Sequence, residues 1–175
     1  MALVRGRVHE RVFVADRDNG FLSVLDASSL ELVKQVPVGG YPEQLVVGPG
    51  GEVWIVSRDD GHVARVPADA DLPDLLVPVG AEPVGVALSV DGDRVYVSVR
   101  GHQEIVVLDA TDGTELQRVD GGARMRGIAV SPNGWLGLVM ENAGVERFEF
   151  ADDGTLEVES RARRVLRRGL PSDAE

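Results

Sequence analysis

The chain has 175 residues, 43% of them apolar but only 5% aromatic, a formal charge of −11 and no cysteine. Disulfides, thiolate nucleophiles and Cys-ligated zinc are thereby excluded, and so acidic a surface repels nucleic-acid phosphates and anionic lipid. No apolar run reaches the ~18 residues of a membrane-spanning helix, and MALVRGRVHE places two Arg and a His where a signal peptide needs its apolar stretch. Neither nucleic acid nor membrane is expected as a partner, and a full-length chain with this start is expected in the cytoplasm.

The elements are expected in a repeating order. RVFVADRDNGFLSVLD at Arg11 to Asp26 returns as EVWIVSRDDGHVARVP at Glu52 to Pro67, as RVYVSVRGHQEIVVLD at Arg94 to Asp109, and more faintly from Trp135 to Phe150. Phe13, Trp54 and Tyr96 are 41 and 42 residues apart, and Leu138 continues the series after another 42. Each unit reads as four short strands. The first has Ala2 to Gly6, Arg11 to Asp16, Phe21 to Asp26 and Leu32 to Pro37; the second runs from Glu43 to about Val79, with an acidic turn at Pro67 to Leu72. In the third, Val84 to Ser89, Asp93 to Val99, Glu104 to Asp109 and Thr114 to Val119 are the strands, and the fourth covers about Arg126 to Ser160 and has drifted most. Asn19-Gly20, Asp60-Gly61, Asp91-Gly92 and Asn133-Gly134 supply the hairpin turns, because these pairs tolerate positive φ. Val38-Gly39-Gly40-Tyr41-Pro42, Val79-Gly80-Ala81-Glu82-Pro83 and Gly121-Gly122-Ala123-Arg124-Met125 align as crossings between units, with proline suited to the passage from one sheet to the next.

Four-stranded units of this length have the spacing of β-propeller blades. The fold class expected is all-β, a β-propeller of four four-stranded antiparallel blades at about residues 2–38, 43–79, 84–120 and 126–160. Residues 1–160 then form one domain and 161–175 a basic tail. Residues 1–159 carry 13 Lys or Arg against 27 Asp or Glu, a net of −14, whereas 160–175 carry five Arg against two acids, a net of +3. The tail is therefore expected to dock on an acidic propeller, of its own chain or a second one.

The string P-x-G-V-A-L-S-V-D-G-D-R-V-Y-V from Pro83 to Val97, followed by VVLDA and a glycine at the next crossing, resembles the YVTN family of β-propeller repeats, with Tyr96-Val97-Ser98-Val99 at the tetrapeptide that names the family. VVGPGGEVWIVSRDDGHVARV is similar to the repeats of lyase- and lactonase-type propellers. The resemblance implies larger rings of about seven blades, and this chain has residues for four. A compact four-bladed ring, a half-ring closed by a second chain, and a fragment of a longer protein are all compatible with that. A twofold dimer completing an eight-bladed ring is the expectation, because an open stack leaves apolar sheet faces in water.

Arg17, Arg58 and Arg100 occupy one register after the second strand of their units, with Asn142 in the fourth, so one face should carry them. Converging guanidinium groups suit a carboxylate, a phosphate or an acidic partner segment; the alternative is local pairing with Asp18, Asp59 and Asp60. Tyr41, Glu82 and Arg124, with Glu43 and Arg126, should share that face. His9, His62 and His102 sit at positions that are not equivalent, which leaves no clustered metal site, and the acidic loop of residues 68–74 lacks the glycine and terminal Glu of a calcium loop. No nucleophile motif, phosphate loop or dinucleotide fingerprint is present. The expected function is a non-catalytic scaffold or binding module, without cofactor, presenting one loop face to a protein or a small anionic ligand. The alternative is a lactonase- or lyase-type enzyme with its site at the central channel mouth.

Overall fold

The computed structural model describes residues 2–4, 10–134, 136–140, 145–150 and 156–160. Short runs of Val, Leu and Ile, too short and too β-branched for helices, form strands wherever Gly- or Asp-containing turns bound them. The first sheet is β1 (Ala2–Val4), β2 (Arg11–Asp16), β3 (Phe21–Asp26) and β4 (Leu32–Pro37). The second is β5 (Pro42–Val47), β6 (Val53–Ser57), β7 (His62–Val66) and β8 (Leu75–Pro78), and the third is β9 (Pro83–Leu88), β10 (Arg94–Val99), β11 (Glu104–Asp109) and β12 (Glu115–Asp120). The fourth is β13 (Met125–Val130), β14 (Leu136–Met140), β15 (Val145–Phe150) and β16 (Leu156–Ser160). Each sheet is a four-stranded meander in chain order, antiparallel throughout. Pro42 and Pro83 open β5 and β9 rather than lying in the crossings before them, since the first residue of a strand has no ladder donor to lose. Among the described residues no helix is long and apolar enough to cross a membrane.

The core lies between sheets. Phe13, Leu22, Val24 and Val36 of the first sheet meet Leu45, Val53, Ile55 and Ala64 of the second. Trp54, Val56 and Val63, on the opposite face of the second, meet Val86, Val95, Val97 and Val106 of the third. Tyr96, Ile105 and Val107 then meet Met125, Ile128, Leu136 and Leu138 of the fourth. Alternation along a strand thus sends successive side chains to two different neighbours. Strands β6 and β9 are buried along their whole length because both faces are covered, whereas the outer strands β4, β8 and β12 are largely exposed. Strands β5, β9 and β13 pack side by side along the inner edge, and among the described residues no comparable packing returns from β13 to β1. The stack is an open arc.

Phe13, Trp54 and Tyr96 do hold equivalent places, each facing the following sheet. They are buried to 6%, 0% and 2% exposure, because that sheet covers them; burial pushes the Tyr96 phenol up to about 12. Leu138 does not continue the series. Tyr96 pairs with Ala87 across β9, but Leu138 pairs with Ile128, and Gly137 takes the place opposite Ala129. The one-residue slip turns Leu138 back toward the third sheet.

At the inner edge Gln44 of β5 reaches past the third sheet, donating to the Ile128 carbonyl at 3.0 Å and accepting from the Ile128 amide at 3.4 Å. Gly85 makes room: a Cβ there would lie 2.8 Å from the Gln44 Oε1 and 2.9 Å from the Ile128 amide nitrogen. Other ties run along the outside. Lys34 donates to the Ala70 carbonyl, Arg65 to the Ala110 and Thr111 carbonyls, and Gln117 to the Leu156 carbonyl, so each of the first three sheets holds a backbone oxygen of the next.

Candidate functional site

The chain enters each new sheet by bridging two hairpins. The Val38 amide donates to the Gly20 carbonyl of the preceding hairpin at 3.0 Å, while the Arg58 amide of the following hairpin donates to the Tyr41 carbonyl at 3.1 Å. At the next crossing, Val79 bonds to Gly61 and the Arg100 amide bonds to Glu82 in the same way. This backbone exchange fixes the first hairpin residue beside the last crossing residue, which brings the aligned arginines to one face. Tyr41, Glu82 and Arg124, one at each crossing, have φ of 54°, 55° and 66°. The left-handed region is unfavourable for a side-chain-bearing residue, and its recurrence at three equivalent positions means that the crossing imposes it.

The side chains form one alternating row. Arg17 donates to Glu43 at 2.5 Å; Arg58 lies 3.8 Å from Glu43 and 3.3 Å from Glu82; Arg100 donates through Nε to Glu82 at 3.1 Å. Two carboxylates, Glu43 at the start of β5 and Glu82 at the end of the next crossing, are thus each shared by two guanidinium groups from successive hairpins. The Arg17 and Arg58 guanidinium carbons stand 5.6 and 5.2 Å from the centre of the Tyr41 ring, within cation–π range. Hydrogen bonding from Arg100 and its charge, followed by Arg58, hold the Glu82 carboxyl below its ordinary range. Beside the row a cleft of about 520 Å³ lies between the first hairpin and the first crossing, with Arg17, Asp18, Phe21, Pro37, Tyr41 and Asp59 in its walls.

The local alternative, pairing of these arginines with Asp18, Asp59 and Asp60, is not what the geometry shows for Arg17 and Arg58. Their partners are Glu43 and Glu82, and the Asp60 carboxylate instead accepts from the Gly40 amide at 2.7 Å. Arg124 and Arg126 lie at the crossing into the fourth sheet and are exposed, while Asn142 and the tail 161–175 fall outside the described residues, as does His9. His62 and His102, read from sequence as non-equivalent, do the same job: a Cβ on Gly39 would meet the His62 ring, and one on Gly80 the His102 ring. Their sequence offsets differ because the two hairpins are built differently, Gln103 taking a φ of 59° in the third sheet.

Ser57, Asp60 and His62 gather around Gly39, a grouping that sequence spacing did not suggest. It is not a nucleophile site: the Ser57 hydroxyl and the His62 Nε2 both donate to the Val38 carbonyl, so the imidazole is not the hydroxyl's base. Among the described residues no three His, Asp or Glu side chains come together as metal ligands. The displaced carboxyls, Asp26, Asp74, Glu82, Asp91, Asp112 and Glu115, are all displaced downward, by Ser28, Arg65, Arg100, Ser89, Thr114 and Arg118 respectively. A general acid needs the opposite shift. The arrangement holds charge in place.

No protein-family model matches the chain, and no curated protein matches it in sequence. Solved structures match its fold. Hydrazine synthase of Kuenenia stuttgartiensis is similar with a TM-score of 0.74 at 21% identity, over 79% of this chain and 42% of that one. A 6-phosphogluconolactonase-like protein of Bacteroides uniformis gives 0.72 at 16% identity, over 91% and 53%. The β-propeller domain of Myceliophteria thermophila Cps50 (Swd1) gives 0.66 at 18%, over 86% and 53%. The fold is that of a β-propeller, and the chain spans about half the length of these relatives.

Proposed function

We propose that the four sheets are four propeller blades and that their crossing face is a non-catalytic binding surface for a protein segment or a small anionic ligand. The row Arg17–Glu43–Arg58–Glu82–Arg100 carries this reading, because it fixes three guanidinium groups on one face and sets the strained Tyr41 and Glu82 among them. The test is calorimetric titration of the purified chain with a panel of small oxyanions and with acidic and neutral peptides. Saturable binding that weakens at least tenfold in Arg58→Ala supports the surface; equal heats for wild type and variant contradict it.

The fold is shared with a lactonase-like protein, which keeps an enzymatic reading in view. It predicts turnover of a lactone at the channel mouth, and hydrolysis by wild type that survives Arg58→Ala but not changes at the inner strands would favour it. The downward-held carboxyls argue for binding.

The arc is open and about half as long as the propellers it resembles, which supports a second copy completing the ring. On β2 and β3, Phe13, Ala15, Leu22 and Val24 pack on the second sheet. Alternation turns the half-buried Val14, Phe21 and Leu25 the other way, onto the face such a copy would cover. Burying a few hundred Å² of apolar surface there at ~25 cal/mol per Å² contributes several kcal/mol.

A further inference from the structure

We propose that the cleft between the first hairpin and the first crossing receives arginine side chains of residues 161–175 from a second copy. The proposal rests on the completion of the ring described above and names a contact that clamps its joint. The cleft of about 520 Å³ has Asp18, Asp59, Phe21, Pro37 and Tyr41 in its walls, with Arg17 beside them. Arg17 is already answered by Glu43 at 2.5 Å. Asp18 and Asp59 are exposed, and among the described residues neither carboxylate is met by a hydrogen-bond donor or a cation. Two open carboxylates beside aromatic and proline surface suit a guanidinium group on its methylene stem, which pairs with the acids while stem and planar head lie on the apolar wall.

Charge, chain direction and position select the occupant. Residues 160–175 carry five Arg against two acids, a net of +3, whereas residues 1–159 carry −14. β16 ends with Ser160 paired to Arg147 near the start of β15, as β4 ends with Pro37 paired to Phe21 at the start of β3 and β12 with Asp120 paired to Glu104 at the start of β11. The chain therefore leaves the fourth sheet on the crossing face, which also holds the cleft. The 15 residues that follow reach at most about 50 Å, more than the ~30 Å across a small domain. Phe21 lines the cleft and also belongs to the face of the first sheet turned away from the second, so the cleft borders the surface that a second copy would cover. Ring closure sets the fourth sheet of one copy against the first sheet of the other, which brings the basic segment to its neighbour's cleft rather than to its own.

The experiment takes the full chain with Arg163→Gln, Arg164→Gln, Arg167→Gln and Arg168→Gln and titrates it with a fluorescent peptide of sequence RARRVLRRGLPSDAE, residues 161–175. The titration is repeated with Asp18→Asn/Asp59→Asn added, and with Asp69→Asn/Asp93→Asn added, a control that removes the same charge from exposed positions outside the cleft. All four aspartates are exposed, so the fold should persist, which circular dichroism checks. The expected result is saturable peptide binding, about tenfold or more weaker after the change at the cleft and within about twofold after the control change. Asp18→Asn/Asp59→Asn in the otherwise unaltered chain should weaken the association of copies, followed by native mass against concentration, by about tenfold or more as well. Equal losses for the two acid pairs would overturn the site, since the peptide would then respond to net charge alone. Peptide binding that depends on Asp18 and Asp59 while the association of copies does not would overturn the contact between copies. A dimeric wild-type chain with no saturable peptide binding would overturn the cleft contact and leave ring completion intact, whereas a chain that stays monomeric would remove both.

Discussion

Arg58 and Glu82 stand 3.3 Å apart across the seam between the second and third sheets, and the same carboxylate accepts from Arg100 at 3.1 Å. Glu82 therefore carries a charge that two sheets share. Its carboxyl is held below its ordinary value of 4.5, first by hydrogen bonding from Arg100. A depressed carboxyl contributes stability that is present above its unfolded value and is lost as pH falls through its folded one. Melting curves between neutral and acid pH should show wild type losing stability below about 4.5 more steeply than Glu82→Gln does. Parallel acid limbs would mean that the carboxylate does not bind the seam.

Gly85 and Gln44 make a second, independent seam. A methyl group at Gly85 would stand 2.7 Å from the Ser98 hydroxyl and 2.8 Å from the Gln44 amide oxygen, so Gly85→Ala should displace the Gln44 bridge to Ile128. The expected cost is about 1–3 kcal/mol, and Gln44→Ala should add little once Gly85 is replaced, a coupling of at least ~0.5 kcal/mol. Gly134, with φ of 85° but nothing within 4 Å of its Cβ position, is the control. Gly134→Ala should lower stability through backbone strain alone and be additive with Gln44→Ala in urea melts.

Leu30 is 65% exposed with φ of 59°, so it combines left-handed strain with little burial to lose. Leu30→Gly should relieve roughly 1–2 kcal/mol of strain against a glycine entropy cost of about 0.5–1 kcal/mol. A rise in Tm of about 1–4 °C is predicted by calorimetry, and Leu30→Ala should give none.

Much of the architecture is written locally. β3 and β11 begin and end where turn chemistry and alternation place them, since Asn19-Gly20 and Asp109 to Gly113 fix both flanks. The slip at Leu138 was invisible because spacing along the chain carries no information about which partner, Ile128 or Ala129, lies opposite. The shared register of Arg17, Arg58 and Arg100 was legible, but their partners were not. Sequence proximity favoured Asp18, Asp59 and Asp60, whereas the left-handed backbone at the crossings and the bonds joining them to the hairpins bring glutamates from farther along the chain. The pairing of His62 and His102 with the crossing glycines was hidden for the same reason.

We propose that this chain is a half-ring whose inter-sheet packing is completed by a second copy. Native mass measured at micromolar concentration tests this most directly. A single species at twice 18.7 kDa, dissociating when Val14 is replaced by Asp, is the predicted result; a monodisperse 18.7 kDa species for the wild-type chain would contradict it.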